Sequence, residues 1–513
     1  MKRILSIFLV VVMLLSALIV GLVSCDDPEQ EKKPNTENST NGNGNGNRND
    51  RIPLELPESA YEGYEGATYN ILEWACGGQE NAGESWIPWE EGDIDQLDGG
   101  MLSQAVFDRN AWVEQTFDID ITKEYASVEV APTHITRMRE NASTTSNAYQ
   151  LVTQRSRNLI SMVQEGLMYD MNEFDGTILH TDQPWWVQNS VESYTLGAKL
   201  YAACTEFLLR DKGATAALYF NQTLAADYED LPNFFELVDN MEWTFDQMIE
   251  ACEIVSHSAD GDDLMNSGAD IWGMYGGDDP VFFLYAATGR QFAHIDGGGY
   301  MEYDFGYDAS SIVVMKEIFE NVMYADWYLN TATDKSILDN YEGKVFVDGQ
   351  ALFAGGMVKS LNDYKEMEDL YGILPYPMYD LDQEGYNSLV WIHHDSVLGI
   401  PQHVVDAEMS AVILEALSWE SYYRVYPTFY ETILLDRSAK DEDSKRMLKL
   451  VFETRVYDPG QYWDTVTGLQ HGQGLLRLTA RESSDIASVW AEFQGAVEQC
   501  VKDINKMISN MED

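Results

Sequence analysis

Thr68-Tyr69-Asn70-Ile71-Leu72-Glu73-Trp74 is the stretch on which the fold turns. It is rich in β-formers, and a loop marked by Gly77-Gly78 and Asn81 to Gly83 follows it. Leu102, Ala105, Val106, Trp112 and Val113 then recur at helical spacing. Phe117, Ile119 and Ile121 alternate with Asp118 and Asp120, which predicts a second strand. A helical stretch around His134 to Glu140 leads to a third strand at Tyr149 to Thr153. Strand, helix, strand in this rhythm predicts an α/β fold with a parallel sheet covered by helices.

A second set of elements begins near Lys199. Lys199 to Ala203 and Ala214 to Phe220 read as short strands, and Trp243 to Val255 as a helix. Leu398 to Pro401 closes another strand, and Met409, Val412, Ile413, Ala416 and Leu417 mark one face of a helix. The chain ends on an amphipathic helix with Ile486, Val489, Trp490, Phe493, Val497, Val501 and Ile504 on its apolar side. From about Tyr61 onward the body is too long for one ordinary domain and predicts two.

At the other end, Lys2 and Arg3 precede an almost continuously apolar run from Ile4 to Val20, then Leu22-Val23-Ser24-Cys25. That order is a secretory signal rather than a spanning helix. The cysteine after Leu-Val-Ser resembles the lipobox of bacterial lipoproteins, which implies cleavage before Cys25 and a diacylglycerol on its sulfur. Residues 26–50 carry almost nothing apolar and end in Asn41-Gly42-Asn43-Gly44-Asn45-Gly46, the composition of a flexible tether.

The formal charge of −54 repels phosphate backbones, so nucleic-acid binding is excluded as a class. Cys76, Cys204, Cys252 and Cys500 match no zinc spacing, and whether they pair is left open by the sequence. His393 and His394 are adjacent and would point apart on a strand, so no metal is expected. Asp260-Gly261-Asp262-Asp263 with Asp270 fails as a calcium loop, because the fifth position is Leu264 and the twelfth Ile271; it reads as a solvated acidic turn. There is no Gly-x-Ser-x-Gly elbow, phosphate loop or dinucleotide fingerprint. No cofactor is implied.

Several stretches together resemble the extracellular solute-binding proteins of carbohydrate ABC importers, family 1. Ala105-Val106-Phe107-Asp108-Arg109-Asn110 with Val113-Glu114 is similar to the family's helix after the first strand. Gly166-Leu167-Met168-Tyr169-Asp170-Met171 resembles the segment after its third strand. Gly197-Ala198-Lys199-Leu200-Tyr201, Leu218-Tyr219-Phe220-Asn221 and Trp243-Thr244-Phe245-Asp246 follow in the family's order. Gly349-Gln350-Ala351-Leu352-Phe353 with Tyr371-Gly372-Ile373-Leu374-Pro375-Tyr376-Pro377 is the most specific pair. The resemblance implies an α/β, two-lobed, periplasmic-binding-protein-like clamp with hinge-crossing strands near Lys199 to Ala203, near Tyr371 to Pro377 and after Ser421. It also implies a monomeric, non-enzymatic protein on the extracellular face of a bacterial membrane, held there by its lipid, with a carbohydrate ligand and ABC permease subunits as partners. The rival reading is a surface-anchored glycosidase, which would need two carboxylates at a set separation. The expected division is 1–24 signal, 25–66 tether, 67–200 and 371–425 for one lobe, and 201–370 and 426–513 for the other.

Aromatic faces stack on sugar rings, so Trp and Tyr near strand ends rank first as ligand contacts. Trp89 lies in the loop after the first strand, and Gln154 and Arg155 directly follow the third. Trp185 and Trp186 share a loop, one of them expected to face solvent or the cleft, and Glu206 follows the first crossing. Trp272, Tyr275 and Asp278 lie in a Gly-rich segment, and Trp391 with His393 begins a returning strand.

Overall fold

The computed structural model describes residues 51–75, 100–127, 132–143, 148–259, 261, 264–266, 269–338, 344–364, 366–436, 442–470, 474–480 and 484–512. All of them belong to the unit Gly44–Asp513; the unit Met1–Asn43 lies outside them, as do Cys25, Cys76 and Trp89.

The first sheet has four strands. β1 (Ala67–Ala75) lies between β2 (Ile119–Ser127) and β3 (Leu151–Gln154), all parallel. Tyr69, Ile71 and Leu72 of β1 are buried, as is all of β3, because helices cover both faces of a parallel sheet. The connecting helices are α1 (Met101–Phe117) and α2 (Pro132–Ser143), and α3 (Ser156–Gln164) follows β3.

The second sheet has five strands. β4 (Ala216–Asn221) is buried along its whole length and runs against its neighbours. The parallel strands are β5 (Trp272–Gly276), β6 (Tyr328–Asn330), β7 (Ala351–Met357) and β8 (Tyr371–Leu374), in the order β6-β5-β7-β4-β8. The helix expected around Trp243 to Val255 is α4 (Phe245–Val255). It sits so close on β5 that a Cβ at Gly273 would come within 2.6 Å of Cys252 Cβ. α5 (Pro280–Ala287) is buried on every side.

The chain then returns to the first sheet. β9 (Val397–Gly399) pairs antiparallel with β3, so the first sheet reads β9-β3-β1-β2. α6 (Ala407–Glu420) follows, its first turn capped by the Asp406 carboxylate on the Met409 amide. It continues through a π-helical turn, Ser421–Val425, into α7 (Tyr426–Asp436). α8 (Glu442–Glu453) packs on β8 of the second sheet, and α9 (Ile486–Glu512) ends the chain with Ile486, Val489, Val497 and Ile504 buried. Among the described residues no helix is long and apolar enough to cross a membrane.

Two expected crossings move. Lys199–Leu200 forms a small hairpin with Thr195–Leu196, and Ala203 still bridges to Leu398 beside the first sheet. The passage follows, over Thr205 to Ala214, into β4. Tyr371 to Pro377 is no crossing: β8 is hydrogen-bonded to β4 at the edge of the second sheet. The second passage is Trp391 to Ser396, since Val390 bridges to Thr215 at the foot of β4 and Val397 pairs with Gln154.

Trp185 and Trp186 correct a further expectation. Both are buried, and each indole N–H donates to one oxygen of Glu415 on α6, at 2.8 and 2.9 Å. Neither ring faces solvent; together they satisfy a carboxyl group that α6 carries into the core. Burial pushes the Glu415 pKa up to about 7 against the pull of the two donors, and burial does the same to Asp395. In the unfolded chain both titrate near 4, so between about pH 4 and 7 the folded state binds more protons than the unfolded. Their contribution to stability is full below that window and is lost as pH rises through 7. His134 and His394, whose pKa values burial pushes down to about 4 and about 3, act in the opposite sense below about pH 6.5, so the test is differential. Calorimetry of wild type and Glu415→Gln across the range checks this: the variant should lose less melting temperature between pH 5.5 and pH 8 than wild type, and identical profiles would count against it.

Candidate functional site

Strand direction decides where the chemistry gathers. β1, β2 and β3 end at one edge of the first sheet, and β5, β6, β7 and β8 end at one edge of the second. In open α/β sheets, ligands bind beyond the carboxyl ends of the strands. Here the passage Trp391 to Ser396 leaves the carboxyl edge of one sheet and enters that of the other. Both edges therefore face a common seam.

From the first sheet come Gln154, Arg155 and Arg157. Gln154 is buried, and its side-chain oxygen accepts the Arg155 amide at 2.8 Å. Arg157 is half-buried, with Nη1 3.1 Å from His393 Nδ1. From the second sheet comes Lys359, two residues beyond β7, whose Nζ donates to His394 Nδ1 at 2.9 Å. The passage residues thus receive a basic side chain from each lobe. A turn at 392–394, not a strand, holds the two histidines. Asp395 is buried and accepts the Ser156 amide at 3.1 Å, which ties the passage to the start of α3.

Further along the second edge, Asp278 accepts from Asn330 Nδ2 at 2.9 Å, and Tyr328 donates to Gly277 O at 2.7 Å. Tyr275, half-buried at the end of β5, has its phenol pushed upward in pKa by burial and then by nearby Asp363. Trp391 lies fully buried, stacked on Phe282 with centroids 5.3 Å apart, and its indole donates to Asp279 at 3.1 Å.

The first passage carries a buried ion network. Lys212 Nζ lies 2.9 Å from Glu206 and 3.3 Å from Asp211, whose other oxygen accepts from Arg455 at 2.7 Å and from Tyr457 at 3.1 Å. The Trp391 amide donates to Ala214 O at 2.9 Å, so the two passages touch, and the thiol of Cys204, just before the first, donates to Ser396 O at 3.4 Å. Among the described cysteines, Cys204, Cys252 and Cys500 are free and buried.

Of the residues expected to contact a ligand, the structure brings Arg155, Tyr275, Asp278 and His393 to the seam, each partly exposed. Trp272 is corrected: it begins β5 at the amino edge, away from the seam, and is buried. Glu206 is engaged by Lys212, and Gln154, Trp185, Trp186 and Trp391 are closed off from solvent by packing. Trp89 and the lipidation residue Cys25 lie outside the described residues. Sequence reasoning missed Arg157 and Lys359. Both stand within three residues of an observed strand end, Gln154 of β3 and Met357 of β7, but the sequence pattern ends the third strand at Thr153 and predicts no strand before Lys359. Among the described residues no group of three His, Cys, Asp or Glu side chains could hold a metal ion. Asp270 of the acidic turn accepts the amides of Ala259 and Asn266; Asp260, Asp262 and Asp263 lie outside the described residues.

No family model matches the chain, and no curated protein does. Solved structures are similar to it. UspC of M. tuberculosis is 12% identical, with a TM-score of 0.51 over 86% of this chain and 99% of that one. A cyclo/maltodextrin-binding protein complexed with maltotetraose is 12% identical, with a TM-score of 0.50 over 87% of this chain and 98% of that one. The likeness establishes the fold: a two-lobed α/β clamp of the periplasmic-binding-protein type.

Proposed function

We propose that the chain is a substrate-binding protein that captures a saccharide at the seam and delivers it to an ABC importer. The observation that carries this reading is the convergence of both carboxyl edges on Trp391 to Ser396. A ligand there meets Arg155 and Arg157 of one lobe and Lys359, Tyr275 and Asp278 of the other. Contacts of that kind are complete only when the lobes are closed, so the ligand shifts an open–closed equilibrium by its difference in affinity for the two states. The maltotetraose bound by the cyclo/maltodextrin-binding protein supports the ligand class. Diacylglycerol on Cys25 and the tether at 26–50 would keep the body at the extracellular face of the membrane, as a monomer, within reach of the permease. Nothing in this reading requires turnover of the sugar.

The test is a thermal-shift screen of residues 51–513 against mono- and oligosaccharides. A ligand bound by the native state alone stabilises it by about 2.7 kcal/mol at a hundredfold excess over Kd. A concentration-dependent rise with a saccharide that is recovered unchanged is expected. Smaller saccharides in the mixture would instead point to the glycosidase.

A further inference from the structure

Residues 51–66 run over the first lobe before β1 begins, and they are held there along their length. Arg51 reaches the junction of α6 and the π-helical turn. Its Nη1 donates to Glu420 Oε2 at 2.7 Å, and its guanidinium lies over the rings of Trp419 and Tyr423, 5.1 and 5.0 Å from their centroids. Glu420 is 1% exposed, and its other oxygen accepts from Arg424 Nε at 2.6 Å. Ile52 is fixed through its backbone: its amide donates to Tyr423 Oη at 2.9 Å, and its carbonyl accepts from Trp419 Nε1 at 2.8 Å. A bond between two ionised groups is roughly twice as strong as a neutral one, and a guanidinium on two aromatic faces adds to it.

The contacts continue toward the strand. His180 Nε2 lies 3.0 Å from Glu55 O, and Leu54 and Leu56 pack against the core. Tyr61 stacks on Phe117 with centroids 5.8 Å apart, and the Tyr64 and Gly66 amides donate to Phe117 O and Asp118 O at 2.8 and 2.7 Å. Phe117 and Asp118 end α1, His180 precedes the first passage, and Trp419 to Tyr423 follow β9 of the first sheet. Each of these partners belongs to the first lobe.

We infer that residues 51–66 moor the tether to the first lobe, with Arg51 as the pin, so that the membrane anchor holds that lobe and the second is the one that swings. The inference rests on the reading of residues 26–50 as a tether to a lipid on Cys25. A tether fastened on both lobes would load the clamp with each pull from the membrane. Fastened on one lobe, it leaves the open–closed equilibrium to the ligand.

Trypsin treatment of the full chain in its membranes tests this, because Asn47-Arg48-Asn49-Asp50-Arg51 offers one cleavage point ahead of the docked stretch and one at its pin. The body is expected in the membrane fraction before treatment and in solution afterwards, beginning at Asn49 with the bond after Arg51 intact. Tyr423→Leu removes one ring from beneath Arg51 and the acceptor of the Ile52 amide, so the released body should then begin at Ile52, with a melting temperature close to that of wild type. Hydrogen exchange at the Ile52 amide gives a second reading: slow in wild type and at least about tenfold faster in Arg51→Ala. A wild-type body trimmed to Ile52 as readily as to Asn49, or equal exchange in wild type and Arg51→Ala, would overturn the mooring. A body already soluble before trypsin would overturn the tether, and with it the anchor that the mooring serves, whatever the exchange shows of residues 51–66.

Discussion

Asp211→Ala is expected to destabilise the protein by about 3–5 kcal/mol, the usual loss when one member of a buried ion network is removed. Asp211 is fully buried. One of its oxygens accepts from Arg455 and Tyr457, and the other lies 3.3 Å from Lys212, itself fully buried. Without Asp211, two buried cations share Glu206 as the carboxylate of the network. Coulomb attraction at these distances is strong in a poorly hydrated interior, and water cannot enter to replace it. The loss should be partly recovered in the double variant Asp211→Ala, Arg455→Met, because the stranded charge is then gone. Urea denaturation of both variants measures this coupling. A single-variant loss below about 1 kcal/mol would mean that the network is hydrated and adds little.

Trp391→Ala should cost a similar amount, about 3–5 kcal/mol, for a different reason. Its ring stacks on Phe282, meets Phe283 edge-on at 5.5 Å, and closes the core where the second passage leaves the second sheet. Alanine removes that contact and opens a cavity that the surrounding Phe rings, held by α5, cannot collapse to fill. Trp391→Phe keeps most of the apolar area and removes the indole donor to Asp279, so its cost should be smaller, about 1–3 kcal/mol. Equal losses for the two variants would show that the hydrogen bond, not the packing, dominates.

The order of elements was readable because it lies in local patterns. Tyr69, Ile71 and Leu72 announce a buried strand, and Val489, Trp490, Phe493 and Val497 a helix face, whatever else the chain does. The passages were harder to locate. Tyr371 to Leu374 has the pattern of any buried strand, and only its partner β4 shows that it stays in the second sheet. The site residues divide along the same line. Position after a strand end led to Arg155, and a Gly-rich segment to Tyr275 and Asp278; all three lie on the seam. Residue type misled at Trp185, Trp186, Trp272 and Trp391, because large aromatic surface is buried wherever an indole N–H can find an acceptor, and Glu415 and Asp279 provide two such acceptors. An acceptor 230 and 229 residues away for Trp185 and Trp186, or 112 for Trp391, leaves no trace in the local pattern.

In optical terms, the Glu415 clamp is a built-in reporter. The emission of an indole depends on the electric field along its long axis, and Trp185 and Trp186 both direct their N–H bonds at one carboxyl group. When that group gains or loses its proton, two chromophores feel the change at once, in a part of the first lobe where neither is open to quenchers in solution. The protein thus carries a spectroscopic record of the charge inside its core, one that needs no attached dye.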